Sequence, residues 1–458
     1  MNGCRRLWQV VAVCLVLLLL ISACAPAATP TTAPATATTA VQEPTEVPQP
    51  ETPTEIWIVG STPEGQAAHD YLLRMIDEFE AENPNIVVKL ESPGYELYDQ
   101  RIRSYIETGN PPDAVTGAIS VLRQYAKEGL TAPIDTYLAQ QNYEGDAVWK
   151  DSFYASLMEQ NYVPDGKNGM GYYSVPTQMH IAGIFYNTVI FDELGLQPPA
   201  TVQEIFVQCE QIKTAGFNCF GIDGGFTPYI TIPFAYIASR VGGEQAYYDT
   251  ALHKDGTSWT DNPAWLTAAQ LTQELYNYHQ SGFLGSAWPA AQVEFSQGKT
   301  AMMYVPSWLP SELMGVAPEG FSMQLIAWPE YEGGPGDQTA TQLNFNGYAL
   351  AAGAKHPQET MEFLKFLSSR HATEVQAAEF LIPSPTIGAA LPESLAAVNA
   401  ILSASKTVPE GMGVDNDAPE WRVTVLEPLL AELALGMDPA EFLEQLQQQS
   451  DDYYAGNS

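Results

Sequence analysis

The chain has 458 residues and carries 54 Asp and Glu against 19 Lys and Arg, a formal net charge of −35. So acidic a surface repels nucleic acid and offers no basic face to anionic lipid, which removes both as charge-driven partners. Hydrophobic residues make up 45% of the chain, and the stretch 56–458 is longer than one hydrophobic core usually covers, so two domains are expected.

Arg5-Arg6, an unbroken apolar run from Val10 to Ile21, and Ile21-Ser22-Ala23-Cys24 open the chain. A basic start, a short apolar core and small residues at the cut make a cleavable export signal, and the run is short for a membrane span. An aliphatic residue and two small ones before a cysteine resemble the bacterial lipobox. That resemblance implies removal of residues 1–23, lipid on Cys24, and a body held at the outer face of a cell membrane. Residues 24–55 are almost entirely Pro, Thr, Ala and Glu after the cysteine. With no apolar periodicity to pack, they read as an extended stalk.

Beyond the stalk, short apolar runs alternate with amphipathic helices. Ile56-Trp57-Ile58-Val59-Gly60 predicts a strand, Leu72, Leu73, Ile76 and Phe79 the stripe of a helix stopped by Asn83-Pro84, and Ile86 to Leu90 the next strand. Further strands are predicted at 174–176, 183–186, 219–222, 301–304 and 348–350, with helices over 203–215, 266–278, 360–367 and 440–448. This rhythm implies an α/β protein with parallel strands and crossover helices. Thr201-Val202-Gln203-Glu204 is a capping box, and Ile205, Cys209 and Ile212 form the apolar stripe behind it. Cys209 and Cys219 are the two cysteines left in the body once the leader is removed and Cys24 is lipidated. In an oxidising compartment they form either a disulfide or a pair of buried thiols.

Pro176, Gly183, Ile184-Phe185, Tyr186-Asn187, Phe191 and Glu193 follow a signature pattern, departing from it at Thr177 and Gln178. Other phrases fall in order around it: Glu82-Asn83-Pro84-Asn85-Ile86, Thr108-Gly109-Asn110-Pro111-Pro112-Asp113, Gly129-Leu130, Phe295-Ser296-Gln297-Gly298-Lys299-Thr300-Ala301-Met302 and Ser307-Trp308. Together they resemble the extracellular solute-binding proteins of ABC importers, in particular the sugar-binding group that contains the maltose-binding proteins.

The resemblance implies a two-lobe periplasmic-binding-protein-like fold of type II with a ligand cleft between the lobes. Lobe 1 would comprise 56–177 plus 343–382, and lobe 2 would comprise 178–342 plus 383–458. The hinge would lie at 176–179, 344–347 and 383–385. It further implies a membrane-tethered, monomeric subunit that closes around a neutral sugar and delivers it to ABC permease subunits. Carried over position by position, the cleft would draw on Thr62, Glu64 and Ser120 from loops after strands, Gln178 and His180 after the first crossing, and Asn346 at the second. Asp223, Tyr229, Trp308 and Trp421 would come from the second lobe. A sugar offers apolar C–H faces to planar rings and a girdle of hydroxyls to carboxylates and amides. Trp308 and Trp421 would stack, while Asp223, Glu64, Gln178 and His180 would supply hydrogen bonds.

No Gly-x-Ser-x-Gly elbow, Gly-x-Gly-x-x-Gly run or phosphate loop occurs, and the six histidines lack metal-ligand spacing. Asp415-Asn416-Asp417 lacks the glycine and glutamate of a calcium loop. Neither catalytic residues nor a cofactor or metal is therefore expected. The rival readings are a secreted glycoside hydrolase, which needs only two apposed carboxylates, and a cell-surface carbohydrate adhesin.

Overall fold

A computed structural model describes residues 53–60, 66–93, 95–164 and 169–456. The leader, Cys24, most of the stalk, and the expected site residues Thr62 and Glu64 lie outside the described residues.

Strands β1 (Thr54–Val59), β2 (Ile86–Glu91), β3 (Ala114–Ala118), β4 (Tyr162–Pro164), β5 (Met170–Tyr172), β6 (Val175–Asn187), β7 (Asn218–Phe220), β8 (Thr300–Pro306), β9 (Met323–Ile326), β10 (Thr341–Leu350) and β11 (Thr407–Val408) alternate with helices. All but the β4–β5 hairpin join one sheet in the order β2-β1-β3-β10-β6-β8-β7, with β11 beside β10 and β9 beside β6. Pairing is parallel for β1 with β2 and β3, and for β7 with β8. It is antiparallel where β10 meets β3 and β6, and where β6 meets β8 and β9. The sheet is therefore mixed rather than parallel throughout. A chain that crosses from one core to the other and later returns must run in opposite directions on the two passes.

Those passes are β6 and β10, and each is longer than its apolar residues suggest. The pieces expected at 174–176 and 183–186 are one 13-residue strand, and the piece at 348–350 is the end of a 10-residue strand. Polar residues at Gln178, His180, Asn344 and Asn346 interrupt the apolar runs. Met179, Ile181, Leu343 and Phe345, which alternate with them, are fully buried. This is the period-2 pattern of a strand with one polar face.

Two sets of cores flank the passes, one for each lobe. Ile56, Ile58, Met75, Phe79, Ala114, Phe363 and Leu364 belong to a core on one face of the β1–β3 end, with Val59, Ile102, Val115 and Tyr125 on the other. A larger core gathers Ile184, Ile205, Phe220, Phe234, Trp265, Tyr304, Leu430 and Phe442. Between them the chain segments run side by side: Met179 N–H donates to the Pro383 carbonyl at 3.1 Å, and the β6–β10 register slips between Asn346 and Gly347. A Cβ on Gly347 would stand 2.2 Å from the Val175 carbonyl oxygen, so only glycine permits this approach.

The cap forms at Thr201, whose Oγ1 accepts from Glu204 N–H at 3.1 Å, while Glu204 Oε2 reaches one residue beyond the usual capping-box partner and accepts from Ala200 N–H at 2.7 Å. The cap starts the helix Val202–Thr214, whose Cys209 faces the core and is disulfide-bonded to Cys219 across a sequence separation of 10. Trp421 requires a correction. It is wholly buried, its ring lies parallel to Trp259 at 6.1 Å, and its Nε1 donates to Ser450 Oγ at 3.0 Å. The helix Pro439–Gly456 covers it, so it packs the second lobe and presents no face to a ligand.

Two outcomes follow for stability. Trp421→Ala should cost about 3 to 5 kcal/mol, the usual loss for emptying a buried aromatic site, measured as a lower urea midpoint. A midpoint within error of the parent would return Trp421 to the surface. Replacing both cysteines with serine should cost roughly 2 to 3 kcal/mol, the loop-closure scale for so short a ring. Free-thiol titration of the unreduced native chain after unfolding should find neither cysteine available.

Candidate functional site

The register of the two crossing strands sets Asn344 opposite His180 and Asn346 opposite Gln178. Residues directly opposite, and residues two apart on one strand, share a sheet face. The four polar side chains therefore form one patch, here called the floor. Asn346 Nδ2 donates to Gln178 Oε1 at 3.2 Å and lies 3.5 Å from His180 Nε2. His180 is 2% exposed, and burial lowers its imidazole to about 3, so the ring is neutral at physiological pH. Its Nδ1 is buried without a partner among the described residues.

Trp308 stands at one margin. Strand β8 delivers it: Ser307 N–H donates to the Ile181 carbonyl at 2.9 Å, and Ser307 Oγ accepts from Ile181 N–H at 3.1 Å. Its ring meets His180 edge to face with centroids 5.0 Å apart. It remains half-buried, which leaves ring surface for a partner, in contrast to Trp421. Tyr229 hydrogen-bonds Trp308 through its side chain, and burial raises its hydroxyl far above the ordinary range. At 5% exposure, Tyr229 is buried against the indole and holds it in place.

The first lobe contributes the start of the helix Ile119–Glu128. Ala118, just before it, pairs with Asn346. Ser120 on the first turn is therefore close to the floor and half-buried. The site thus sits where β3 ends and its helix begins, the usual place for ligands in open α/β sheets.

Asp223 has a different task from the one expected. It is 1% exposed, and its Oδ1 accepts from Ser286 Oγ at 2.6 Å and from Ala291 N–H at 2.9 Å. It anchors the start of the helix Ala290–Ser296, and burial raises its carboxyl against those bonds. The structure therefore joins Gln178, His180, Asn346, Trp308 and Tyr229 by contact and brings Ser120 near, while Asp223 and Trp421 serve packing.

Two members escaped the sequence reading. Asn344 was visible as the polar partner of Asn346 in an alternating strand. Glu410 arrives from Pro409-Glu410-Gly411-Met412-Gly413 and accepts from Asn344 Nδ2 through Oε2. Only the pair of glycines around Met412 hinted at an unusual turn there. Asp415 and Asp417 pair with arginines: Asp415 lies 3.1 Å from Arg422, and Asp417 lies 2.7 Å from Arg123. Among the described residues no cluster of His, Cys, Asp and Glu gathers to hold a metal.

A separate recess of about 680 Å³ lies on the β1–β3 end, lined by Trp57, Lys89, Glu91, Asp113, Lys355 and His356 among others. Its central acid is already occupied. Asp113 Oδ1 accepts from the backbone of Lys355 and His356 at 2.8 and 2.9 Å, and its Oδ2 accepts from Trp57 N–H at 2.9 Å. The floor, with amide groups still open and a half-exposed indole, is the better recognition surface.

The model of the bacterial extracellular solute-binding protein family matches residues 64–374. A binding protein of Brucella abortus is 26% identical over 292 residues, 63% of this chain; the match spans 66% of that relative, just under two thirds of its length. The multiple sugar-binding protein of Streptococcus mutans is 23% identical over 321 residues, 66% of this chain and 69% of its own. A structure from work on xylan utilization by the thermophilic bacterium Caldanaerobius polysaccharolyticus superposes with a TM-score of 0.73 at 21% identity, covering 86% of this chain and 99% of that one. That likeness extends the two-lobe fold over nearly the whole body. With the match covering well over half of its residues, the chain belongs to the bacterial extracellular solute-binding protein family.

Proposed function

We propose that this chain is the solute-binding subunit of an ABC importer, capturing a neutral saccharide between its lobes and presenting it to the permease. The observation that carries the reading is the floor: four polar side chains from the two crossing strands, bordered by the half-exposed ring of Trp308. Amides donate and accept along a ring of hydroxyls, and an indole covers the apolar face of a pyranose. The nearby arginines are already engaged. Arg123 donates to the Gln160 carbonyl and to Asp417, Arg240 donates to backbone carbonyls, and Arg422 pairs with two carboxylates. A phosphorylated solute would lack the charge-assisted grip it needs. The name of the Streptococcus mutans relative, a multiple sugar-binding protein, supports the same class.

In this reading lobe 1 is 56–177 plus 343–382 and lobe 2 is 178–342 plus 383–458, and the slipped register at Asn346 and Gly347 serves as the hinge about which they close. The subunit works as a monomer, tethered outside the cytoplasm by lipid on Cys24, and releases its sugar chemically unchanged. Thr62 and Glu64, which follow β1 in sequence, complete the grip from the first lobe.

A thermal-shift panel of maltotriose, raffinose, xylotriose and chitotriose should find at least one sugar that raises the melting temperature, with stabilisation growing as RT ln(1 + [L]/Kd). The sugar should be recovered intact; hydrolysis products would favour the glycosidase. Trp308→Ala should weaken that sugar by roughly 5 to 150-fold, equivalent to about 1 to 3 kcal/mol for a lost aromatic face, while circular dichroism stays native. Unchanged affinity would remove Trp308 from the site. Cys24→Ala should shift the protein from the membrane fraction to the soluble one, and retention on membranes after a salt wash would refute the anchor.

A further inference from the structure

The short stretch Pro409–Gly413 brings a carboxyl group to the floor, and its backbone is unusual. Gly411, Met412 and Gly413 follow one another at φ of 57°, 57° and 95°. Met412 has no glycine's freedom there and is nevertheless buried. Left-handed conformations at ordinary residues persist only where the surroundings enforce them, and they concentrate at functional sites. Here Gly411 lies against Asp415, whose Oδ1 would be 2.6 Å from a Cβ at that position. Gly411 N–H donates to Gln342 Oε1 at 3.3 Å. The turn is clamped from both sides, and its effect is to set Glu410 on Asn344.

We propose that Glu410 is the acidic ligand contact of the cleft, its carboxylate accepting hydroxyl hydrogens of the bound saccharide beside Asn344. The inference rests on the saccharide reading above and adds to it a residue and a proton. Three observations carry it. Glu410 meets the floor directly, its Oε2 accepting from the Asn344 amide. The residue keeps part of its surface open. Finally, the one cation in the neighbourhood is already taken: Arg422 lies 3.1 Å from Asp415 and also pairs with Glu427. Glu427 accepts a further bond from Thr227. Of the three acids, Glu410 alone faces the floor without a counter-charge. Hydroxyl groups are the donors that can satisfy it there.

A proton linkage follows. Burial holds the Glu410 carboxyl well above the ordinary carboxylate range, Asp415 adds to the rise and Arg422 opposes it. The empty site therefore keeps a proton on Glu410 in mildly acidic solution, and hydroxyl donors favour the ionised form. Saccharide binding must then release that proton, and affinity must rise as pH rises toward neutrality. The charged and titratable groups that act on Glu410 are Asp415, Arg422, and Tyr229 and Tyr236 of the helix Pro228–Gly242; Glu427 and Tyr247 lie one step further, against Asp415 and Arg422, and His180 lies opposite Asn344. Burial raises the three tyrosines out of this range, and it lowers His180 to about 3. Asp415 is raised by burial too, but Arg422 stays beside it.

The test is calorimetric titration of the full-length protein with maltotriose, raffinose, xylotriose or chitotriose, whichever binds, from pH 5.5 to 8 and in two buffers of different ionisation enthalpy. The parent should bind several-fold tighter at pH 8 than at pH 5.5 and release protons on binding within that range. Glu410→Gln, which keeps size and the Asn344 contact, should bind about tenfold more weakly at pH 8 with no pH slope and no proton release. Parent-like affinity and slope in Glu410→Gln would overturn the proposal while leaving the saccharide reading standing. Absence of proton release from the parent would overturn it without any variant, even if Glu410→Gln failed to fold. If none of the four sugars bound the parent, both the reading and this inference would fall together.

Discussion

The antiparallel pairing of β6 with β10 has to meet two requirements that pull against each other. On one face its side chains must be apolar, because Met179, Ile181, Leu343 and Phe345 are buried on both sides of the crossing. On the other face they must be polar, because a ligand has to find hydrogen-bonding groups there. A strand resolves the conflict by its period of two, and pairing in register brings the two polar faces together. A one-residue slip across the floor would exchange the faces and bury four amide and imidazole groups in a hydrophobic core. The slip that does occur lies just beyond, between Asn346 and Gly347, where glycine allows the closest approach of the two backbones.

Around this pairing the site is built in two layers. Groups that can reach a ligand are half-exposed, and each is held by one that is buried. Trp308 is fixed by Tyr229, by the edge of His180 and by the Ser307–Ile181 bonds. Glu410 is aimed by the clamped left-handed turn behind it. Asp223 works one step further back, pinning the loop and helix start at Ser286 and Ala291. Rigid support of this kind limits the ordering that binding requires, so that more of the contact energy appears as affinity.

The charge of the chain is handled by separation. Most of its excess acid lies on the exposed surface, where water screens it. Several of the buried carboxylates are matched: Asp113 with backbone N–H groups, Asp415 and Glu427 with Arg422. The buried arginines in turn donate to carbonyls and carboxylates. The floor is left with amides, an imidazole and the Glu410 carboxyl, groups with which a polyhydroxylated solute can bond and an anion pairs poorly.

Periodicity and local chemistry were sufficient for the parts of this molecule that depend on neighbours in sequence. The cap at Thr201, the core-facing Cys209, the β1 and β2 strands and the alternation with helices were all legible, because each is decided within a few residues. Ordered motifs extended that reading to the family, and through it to Gln178, His180 and Trp308. Depth and direction were not legible. Trp308 and Trp421 stand in similar local settings, yet one borders the floor and the other is sealed beneath a terminal helix, an outcome fixed by Trp259 and Ser450 far away in the chain. Glu410 lies 66 residues from the asparagine it touches, and only a turn forced into left-handed backbone by its packing sets the two together. A sequence specifies which groups can bond. Which of them remain free to meet a ligand is decided by the folded neighbours that take up the rest.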